Sequence, residues 1–433
     1  MVSSRICAGL IGSVSALAFM ISPAALAVPQ DAGQVNNVGN CFLLPPYGGR
    51  NTIIMPGSTS LIPVVQVLGA RLAQMSNPYL LVYFPMPSCD AMGRVNNASV
   101  MSGTAQFYTA PDPNDPTKIT TQSCSIDGTV PIDLAVGDTF FETCDSSGAT
   151  KREPSLGDFQ GPEQAFVFIA PRAFQYTTYI TDNEARCVFG CGAKGQVAPY
   201  FDDSFIYSYS NAVGLQFGAQ LIIGKAIGLI SFFDNGSSGN HGSHADQDEA
   251  NGVASSTSPD RTIGFISAEV YDQMRDQLKA LAFRGAGQSL AYYPDSNSNT
   301  RDKRNVRDGH YMAQAPMHMW AALNPDGSIK RPLARKLIDW MQGNPVAAED
   351  QLPFDINDVY AQAGVIPKCA MTVSRSLDGG PFSPYVPEKP PCGCSFESKA
   401  TGSAVPAGCV QCLDNTGCKQ NQICSYGFCE QAW

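Results

Sequence analysis

Histidine and the common catalytic motifs are scarce or missing in this chain of 433 residues. Four histidines leave little material for serine–histidine triads or for histidine-based metal sites. There is no Gly-x-Ser-x-Gly elbow, no P-loop and no His-Glu-x-x-His motif. We therefore expect no catalytic residue, no cofactor and no bound metal. A secreted hydrolase without a recognisable motif stays as an alternative.

Basic residues are also fewer than acidic ones. Once Arg5 is removed with the N-terminal segment described next, 27 basic residues remain against 38 acidic ones, a net charge of −11. That balance argues against nucleic acid and anionic lipid as partners. It does not exclude a small anionic ligand, because a binding site is local. No later apolar segment is long enough to cross a bilayer, so we expect no membrane span in the mature chain.

Residues 1–27 have the three parts of a secretory signal peptide. Arg5 supplies the positive charge, residues 6–21 form an uncharged apolar stretch, and Ala25-Leu26-Ala27 is a small-x-small cleavage sequence. An uncleaved anchor is the alternative. We expect cleavage near Ala27 and a periplasmic, cell-surface or secreted location.

Fourteen of the fifteen cysteines follow this signal, and in an oxidising compartment they predict disulfides. Seven of them lie between Cys392 and Cys429, in a segment with few apolar residues that disulfides must hold together. The spaced prolines just before Cys392 predict a stiff linker. A zinc site in the tail is the alternative reading. The cysteines from Cys41 to Cys369 are expected to pin loops of the main body.

The rest of the chain alternates short apolar runs with helical patterns, which favours an α/β fold. We predict strands at 79–84, 105–108, 132–136, 165–170, 262–266 and 290–293. We predict helices at 61–74, 211–227, 268–282, 332–341 and 355–363. Residues 109–128, 234–260 and 294–309 have loop composition.

Three loops follow predicted elements in positions where open α/β sheets bind ligands. Gly57-Ser58-Thr59-Ser60 precedes the first helix and offers hydroxyl and N–H donors to an anion, although a plain helix cap is the simpler reading. Ser88 follows the strand at 79–84, next to Cys89. Asp138 follows the strand at 132–136 and could accept a ligand proton.

These loops, in this order, resemble the phosphate-binding proteins of bacterial ABC transporters, a family of type II periplasmic solute-binding proteins. The resemblance is closest to a divergent, cysteine-rich branch of myxobacterial and deltaproteobacterial type. It implies a two-lobed α/β fold of the type II periplasmic-binding-protein class, here with a small disulfide-rich C-terminal extension. It also implies ligand-binding roles for Ser58, Thr59, Ser60, Ser88 and Asp138, with Gly214 facing them from the second lobe.

The chain departs from the family at two places. Tyr209 stands where the family has an arginine, and Val213 and Leu215 replace two hydroxyl residues around Gly214. Gly137 replaces the serine before Asp138. A divalent anion would thereby lose several charge-assisted hydrogen bonds, each of which contributes about 1.5–3 kcal/mol.

We predict lobe 1 from residues 41–155 and 290–385, lobe 2 from 156–289, and a linker with a cysteine-rich module at 386–433. The leading function is exported solute binding, for a small oxyanion of phosphate type with a degenerate second-lobe site. An ABC permease or a cell-surface partner would work with it. The alternative is a non-transport interaction protein on the same scaffold.

A metal cluster at His241, His244 and Asp246 is a weaker hypothesis, because a Gly/Ser-rich loop orients no ligands.

Overall fold

The computed structural model of this protein describes residues 37–46, 51–112, 115–145, 151–207 and 246–432. The predicted signal peptide, the predicted helix at 211–227, and the residues Tyr209, Gly214, His241 and His244 lie outside the described residues.

The described residues contain fifteen strands and ten α-helices. The strands are β1 Asn37–Asn40, β2 Thr52–Gly57, β3 Leu80–Pro85, β4 Val100–Asp112, β5 Asp115–Pro131, β6 Ala135–Gly137, β7 Leu156–Pro171, β8 Tyr179–Thr181, β9 Gly264–Ser267, β10 Leu278–Arg284, β11 Gln314–Ala322, β12 Val373–Ser374, β13 Ser383–Pro384, β14 Gln422–Ser425 and β15 Phe428–Gln431. The helices are α1 Ile62–Ala73, α2 Ser88–Asn96, α3 Phe141–Cys144, α4 Asp182–Cys191, α5 Asp246–Ala254, α6 Ala268–Gln273, α7 Arg304–Arg307, α8 Pro332–Gln342, α9 Ile356–Ala363 and α10 Gly393–Thr401.

One mixed sheet organises the main body. Its strand order is β1-β5-β4-β3-β2-β6-β11-β7-β10-β8, and β9 also pairs with β7. The strands β3, β2 and β6 run parallel to one another, whereas β11 is antiparallel to both β6 and β7. Parallel strands that are buried on both faces have largely apolar sequences without alternation, and the sequences of β2 and β3 follow this pattern.

Two separate hydrophobic regions lie along this sheet. In the first, α1, α8 and α9 pack on one face of β2 and β3, and α2 packs on the other. The second surrounds the last part of β7 with β9 and β10. The strand β7 connects them, because its first half pairs with β11 and its second half with β9 and β10. This confirms the predicted two-lobed α/β class.

The lobe boundaries themselves stay a prediction. Two residues of the expected return segment to lobe 1, Val306 and Tyr311, are buried in the second hydrophobic region. The Tyr311 hydroxyl donates a hydrogen bond to the Phe166 carbonyl oxygen at 2.6 Å. The chain therefore packs against the second region before β11, and Ile366, Cys369, Ala370 and Met371 do so again after it.

Local sequence signals located α1, α8 and α9 well. The helix α9 begins after Asp355, whose carboxylate accepts a hydrogen bond from the Asn357 N–H, and ends at Gly364 with φ +88°. The helix predicted over 268–282 is wrong in its second half, because 278–284 forms β10 between β7 and β8. Strand pairing there overrides the helix propensity of leucine, lysine and alanine.

Other predicted elements differ from the structure. The expected strand at 290–293 is irregular and makes only an isolated bridge between Tyr292 and Phe283. The expected loop at 109–128 belongs to the long β4–β5 hairpin, where threonine and isoleucine suit an extended backbone. The expected loop at 234–260 includes α5.

In the part of the chain that the structure describes, six disulfides pair twelve cysteines. They are Cys41–Cys124, Cys89–Cys144, Cys369–Cys392, Cys394–Cys409, Cys412–Cys424 and Cys418–Cys429. The sulfurs of Cys412, Cys418 and Cys429 lie within 4.8 Å of one another, but all three are disulfide-bonded and so provide no zinc thiolates. The disulfide-rich C-terminal extension is therefore confirmed. Dense disulfides are typical of proteins in oxidising compartments.

The extension is more tightly attached than a module on a linker. Cys369–Cys392 joins it covalently to the main body, and the Phe396 side chain is buried in the second hydrophobic region. The Glu397 carboxylate accepts hydrogen bonds from Arg304 at 2.7 Å and from Arg307 at 3.1 Å. The division of the cysteines into two independent groups is thus wrong, because one disulfide links them.

Across the described part of the chain, no helix combines the length and the apolar character needed to cross a membrane.

Candidate functional site

Three of the predicted ligand-binding loops meet at one edge of the sheet. Because β3, β2 and β6 are parallel neighbours, their carboxyl ends lie side by side. Ser58 follows β2, Ser88 begins α2 after β3, and Asp138 follows β6. The edge beyond the carboxyl ends of parallel strands is the usual ligand position in open α/β sheets.

The Asp138 carboxylate is the centre of this cluster. Ser88 Oγ donates a hydrogen bond to Asp138 Oδ1 at 2.5 Å. Ser58 Oγ donates to Asp138 Oδ2 at 2.8 Å, and Ser60 Oγ makes a short bond to the same oxygen. All four side chains are at most 1% exposed. Three hydroxyl groups therefore satisfy one buried carboxylate, and we call these four residues the serine–aspartate cluster.

The hydroxyl groups do not have the role that the simpler sequence reading gave them. A 3₁₀ turn, Thr59–Leu61, precedes α1, and the Ser58 side chain makes no capping hydrogen bond to it. The bonds to Asp138 take the place of a cap. Thr59, also predicted to bind ligand, is half-buried within this turn.

Tyr83 supports the cluster and was not predicted. It lies in β3, is fully buried, and its hydroxyl donates to the Ser58 carbonyl oxygen at 2.6 Å. Burial, and then the nearby Tyr108 and Asp138, raise the pKa of the Tyr83 hydroxyl well above its usual range. The group therefore stays protonated and holds the turn as a donor.

Close packing explains the glycine that departs from the family pattern. A Cβ atom on Gly137 would lie 2.5 Å from the Trp320 ring and 3.0 Å from Ser88 Cβ. Trp320 is buried in β11, which pairs with β6, so its ring occupies the space that a serine side chain would need. The Trp320 ring therefore explains why residue 137 is a glycine rather than a serine.

A second buried carboxylate lies next to the cluster. Asp378, in the hairpin between β12 and β13, accepts hydrogen bonds at its Oδ2 atom from Thr139 Oγ1 at 2.5 Å, Phe140 N at 2.9 Å and Thr143 Oγ1 at 2.6 Å. The side chain is 5% exposed. The residues that follow Asp138 therefore bind an internal carboxylate, which no local sequence pattern indicates.

Gln164 of β7 and Glu269 of α6 connect the cluster to the second hydrophobic region. Gln164 Nε2 donates to the Ser60 carbonyl oxygen at 3.1 Å and to Glu269 Oε2 at 3.2 Å. Both residues are at most 1% exposed, and among the described residues Gln164 Oε1 and Glu269 Oε1 have no hydrogen-bond partner. Burial raises the pKa of the Glu269 carboxyl well above its usual range.

The electrostatics of this region are acidic. Among the described residues, no lysine or arginine nitrogen forms an ion pair with Asp138 or Glu269. Asp246 and Glu249, at the start of α5, are also buried in the second lobe, and Asp246 Oδ2 accepts the Ser267 N–H at 2.6 Å.

A serine–histidine catalytic pair does not occur in the described residues. His318 Nδ1 lies 2.8 Å from Asp158 Oδ1, a pairing typical of catalytic histidines. However, His318 Nε2 is buried and makes no hydrogen bond to any described residue, so no serine nucleophile is joined to it. The alternative of a hydrolase gains no support from this geometry.

No family model and no curated protein matches this chain. Among solved structures it is similar to an ABC-type phosphate transport receptor from Vibrio cholerae, with 13% identity, a TM-score of 0.42, and coverage of 72% of this chain and 99% of that one. It is also similar to a phosphate-binding protein from Stenotrophomonas maltophilia, with 11% identity, a TM-score of 0.39, and coverage of 73% and 90%. A mutant of the regulatory domain of HypT from Salmonella typhimurium matches with 9% identity, a TM-score of 0.34, and coverage of 68% and 97%. These likenesses concern the fold alone.

Proposed function

We propose that this protein binds a small solute at the serine–aspartate cluster, as exported solute-binding proteins do. The observation that carries the proposal is the convergence of Ser58, Ser60, Ser88 and Asp138 beyond three parallel strands. Polar side chains gathered at that edge of an α/β sheet are a ligand site by default. Thr59 and Gly214 complete the predicted set, the latter from outside the described residues.

A protonated oxyanion of phosphate type suits this set of groups. Each serine hydroxyl now donates to Asp138, and an ionised carboxylate only accepts. A ligand with both an O–H group and bare oxygens could donate to Asp138 while it accepts from the rotated hydroxyls. The number of hydrogen bonds would then be conserved. An oxyanion without a proton, such as sulfate, would leave Asp138 facing a negative charge.

Ligand entry requires motion, because the cluster is at most 1% exposed. The contact from Gln164 to Ser60 and Glu269 joins the two lobes at this point, so we place the opening there. Delivery to an ABC permease would be one use of such binding, and presentation at the cell surface another. Both presuppose export and removal of the segment that ends near Ala27.

The test is a calorimetric titration of the mature chain with phosphate, arsenate and sulfate at constant ionic strength. Phosphate at about 100 times its dissociation constant should also stabilise the fold by about 2.7 kcal/mol, which thermal unfolding would register. We expect phosphate and arsenate to bind and sulfate not to bind. Ser88→Ala and Asp138→Asn should weaken phosphate binding at least tenfold, and the exposed Ser102→Ala should not.

A second candidate is an interaction protein on the same scaffold, without solute binding. Two contacts favour it: Trp320 fills the space beside Gly137, and Asp378 takes up the donors that follow Asp138. If no oxyanion binds and Ser88→Ala changes nothing but stability, the solute-binding proposal fails and this candidate replaces it.

A further inference from the structure

A cavity of about 730 Å³ lies away from the serine–aspartate cluster, where several parts of the chain meet. Its walls come from the end of α8, the start of α9, the beginning of β7 and the C-terminal extension. Cavities of about 300–1,000 Å³ are typical of small-molecule sites. A single phosphate ion would leave most of this one empty, so its natural ligand is larger than the solute proposed above.

Aromatic rings and amide groups both line the cavity wall. Phe354 and Tyr385 are half-buried, and Tyr426 is 46% exposed. Five amide side chains lie on the same wall, those of Gln160, Gln342, Asn344, Gln351 and Asn357. The first three already make hydrogen bonds within the protein, so Gln351, which is exposed, is the amide best placed to meet a ligand. Rings offer flat apolar faces, whereas amides offer both a donor and an acceptor. A ligand that matches this wall has apolar faces and many hydroxyl groups.

The charged groups of the wall balance in number, because Lys368 and Lys389 are matched by Asp355 and Glu388. Lys368 Nζ lies 3.2 Å from Gln160 Oε1 and 3.6 Å from Glu163 Oε2. Lys389 Nζ donates to the Gly343 carbonyl oxygen at 2.7 Å. Asp355 Oδ2 lies 2.9 Å from Lys399 Nζ. Because the two cations and two carboxylates of the wall give no net charge, the wall favours an uncharged ligand over an ionic one.

Tyr426 has an unusual backbone conformation for its side chain. It forms the two-residue turn between β14 and β15 together with Gly427, with φ angles of +49° and +81°. Such a turn prefers Asn-Gly, and positive φ is unfavourable for a bulky residue compared with glycine or asparagine. The strained residue carries its ring to the cavity rim. Strain of this kind is often retained where the side chain has a function.

We propose that this cavity binds a neutral oligosaccharide. Sugars combine C–H faces, which stack on aromatic rings, with hydroxyl groups, which pair with amides, and they carry no charge. The inference does not depend on the solute at the serine–aspartate cluster. It gives the C-terminal extension a direct role in binding, since Tyr426 and residues 387–389 belong to that extension and the rest of the wall belongs to the main body.

The test is isothermal titration calorimetry and saturation-transfer NMR on the mature chain with cellotetraose, maltotetraose, xylotetraose and chitotetraose. A proline-rich peptide serves as the competing class of ligand. We expect saturable binding of at least one oligosaccharide. Gln351→Ala and Tyr426→Asn should each weaken it, the latter at least tenfold, while the exposed Tyr176→Asn leaves it unchanged.

Thermal stability separates a binding role for Tyr426 from a structural one. Asparagine tolerates positive φ, so Tyr426→Asn should melt at the same temperature as the wild type or higher, although it loses binding. The proposal is overturned if none of the four sugars binds, if Tyr426→Asn binds as well as the wild type, or if the peptide alone binds. A lower melting temperature with unchanged sugar affinity would show that the ring is structural.

Discussion

Removal of the Asp378 side chain should destabilise the whole first lobe. This carboxylate joins the β12–β13 hairpin to the residues that follow Asp138, and it is almost completely buried. In Asp378→Ala, the hydroxyls of Thr139 and Thr143 and the Phe140 N–H all lose their acceptor at once. Three buried donors would then depend on water that enters the space left behind.

The size of the effect follows from these three bonds. A hydrogen bond to a charged group contributes about 1.5–3 kcal/mol, so the gross loss is about 4.5–9 kcal/mol. Entering water and local relaxation restore part of this. We therefore expect Asp378→Ala to lower the free energy of unfolding by about 3–5 kcal/mol, which is the range for a broken buried charge interaction.

The isosteric change provides a sharper comparison. All three donors converge on the single atom Oδ2, which an asparagine carbonyl oxygen can replace. Asp378→Asn should therefore cost only about 1–2 kcal/mol, from the loss of charge on the acceptor. Burial lowers the pKa of the Arg375 guanidinium to about 10, and the charges of Glu163 and then Asp378 partly oppose this, so part of that cost comes from a weaker attraction to Arg375.

The assay is reversible urea unfolding of the mature, disulfide-intact chain, followed by circular dichroism. The exposed Asp276→Ala is the matched control and should stay within about 0.5 kcal/mol of the wild type. A double-mutant cycle with Thr143→Val should give a coupling of at least about 1 kcal/mol. The reasoning is refuted if Asp378→Ala unfolds within 0.5 kcal/mol of the wild type, or if the asparagine variant is equally damaged.

Two further changes test the packing and the charge of the candidate site. Gly137→Ser should lower the free energy of unfolding by about 1–3 kcal/mol, because the serine Cβ would overlap the Trp320 ring. The loss should be smaller when the same change is made in a Trp320→Leu background. Equal melting temperatures for Gly137→Ser and the wild type would contradict this. Glu269 has a raised pKa in the folded state, so wild-type stability should fall as the pH rises from about 4.3 towards that value. The melting temperature of Glu269→Gln should therefore rise relative to that of the wild type as the pH increases from 4 to 8, whereas that of the exposed Glu349→Gln should not. If melting temperature depends on pH in the same way for Glu269→Gln and the wild type, the raised pKa of Glu269 is refuted.

Some elements were predictable because their signals are local. The helix α1 follows from an apolar face repeated every three to four residues, and α9 from an aspartate at its start and a glycine at its end. The residues of β10 carry no such signal. Leucine, lysine and alanine favour a helix, and only the two neighbouring strands, β7 and β8, make residues 278–284 extended.

The site divides in the same way. The loops after β2, β3 and β6 could be predicted to meet, because parallel strands present their carboxyl ends at one edge. The hydrogen bonds between their side chains could not be predicted. Ser58 and Asp138 are 80 residues apart in sequence, and Asp378 lies 239 residues beyond Thr139. No local pattern encodes which carboxylate accepts which hydroxyl.

The sequence by itself determined the features that depend on neighbouring residues or on composition. These are the export signal as an expectation, the reliance on disulfides, the α/β class and the short list of candidate ligand residues. Tertiary structure alone decided that the serines bind Asp138 rather than cap α1, that Trp320 requires Gly137, and that Cys369–Cys392 attaches the extension. The reason is physical: these contacts join residues far apart in sequence, and close packing and the pairing of buried polar groups select them only after the chain has folded.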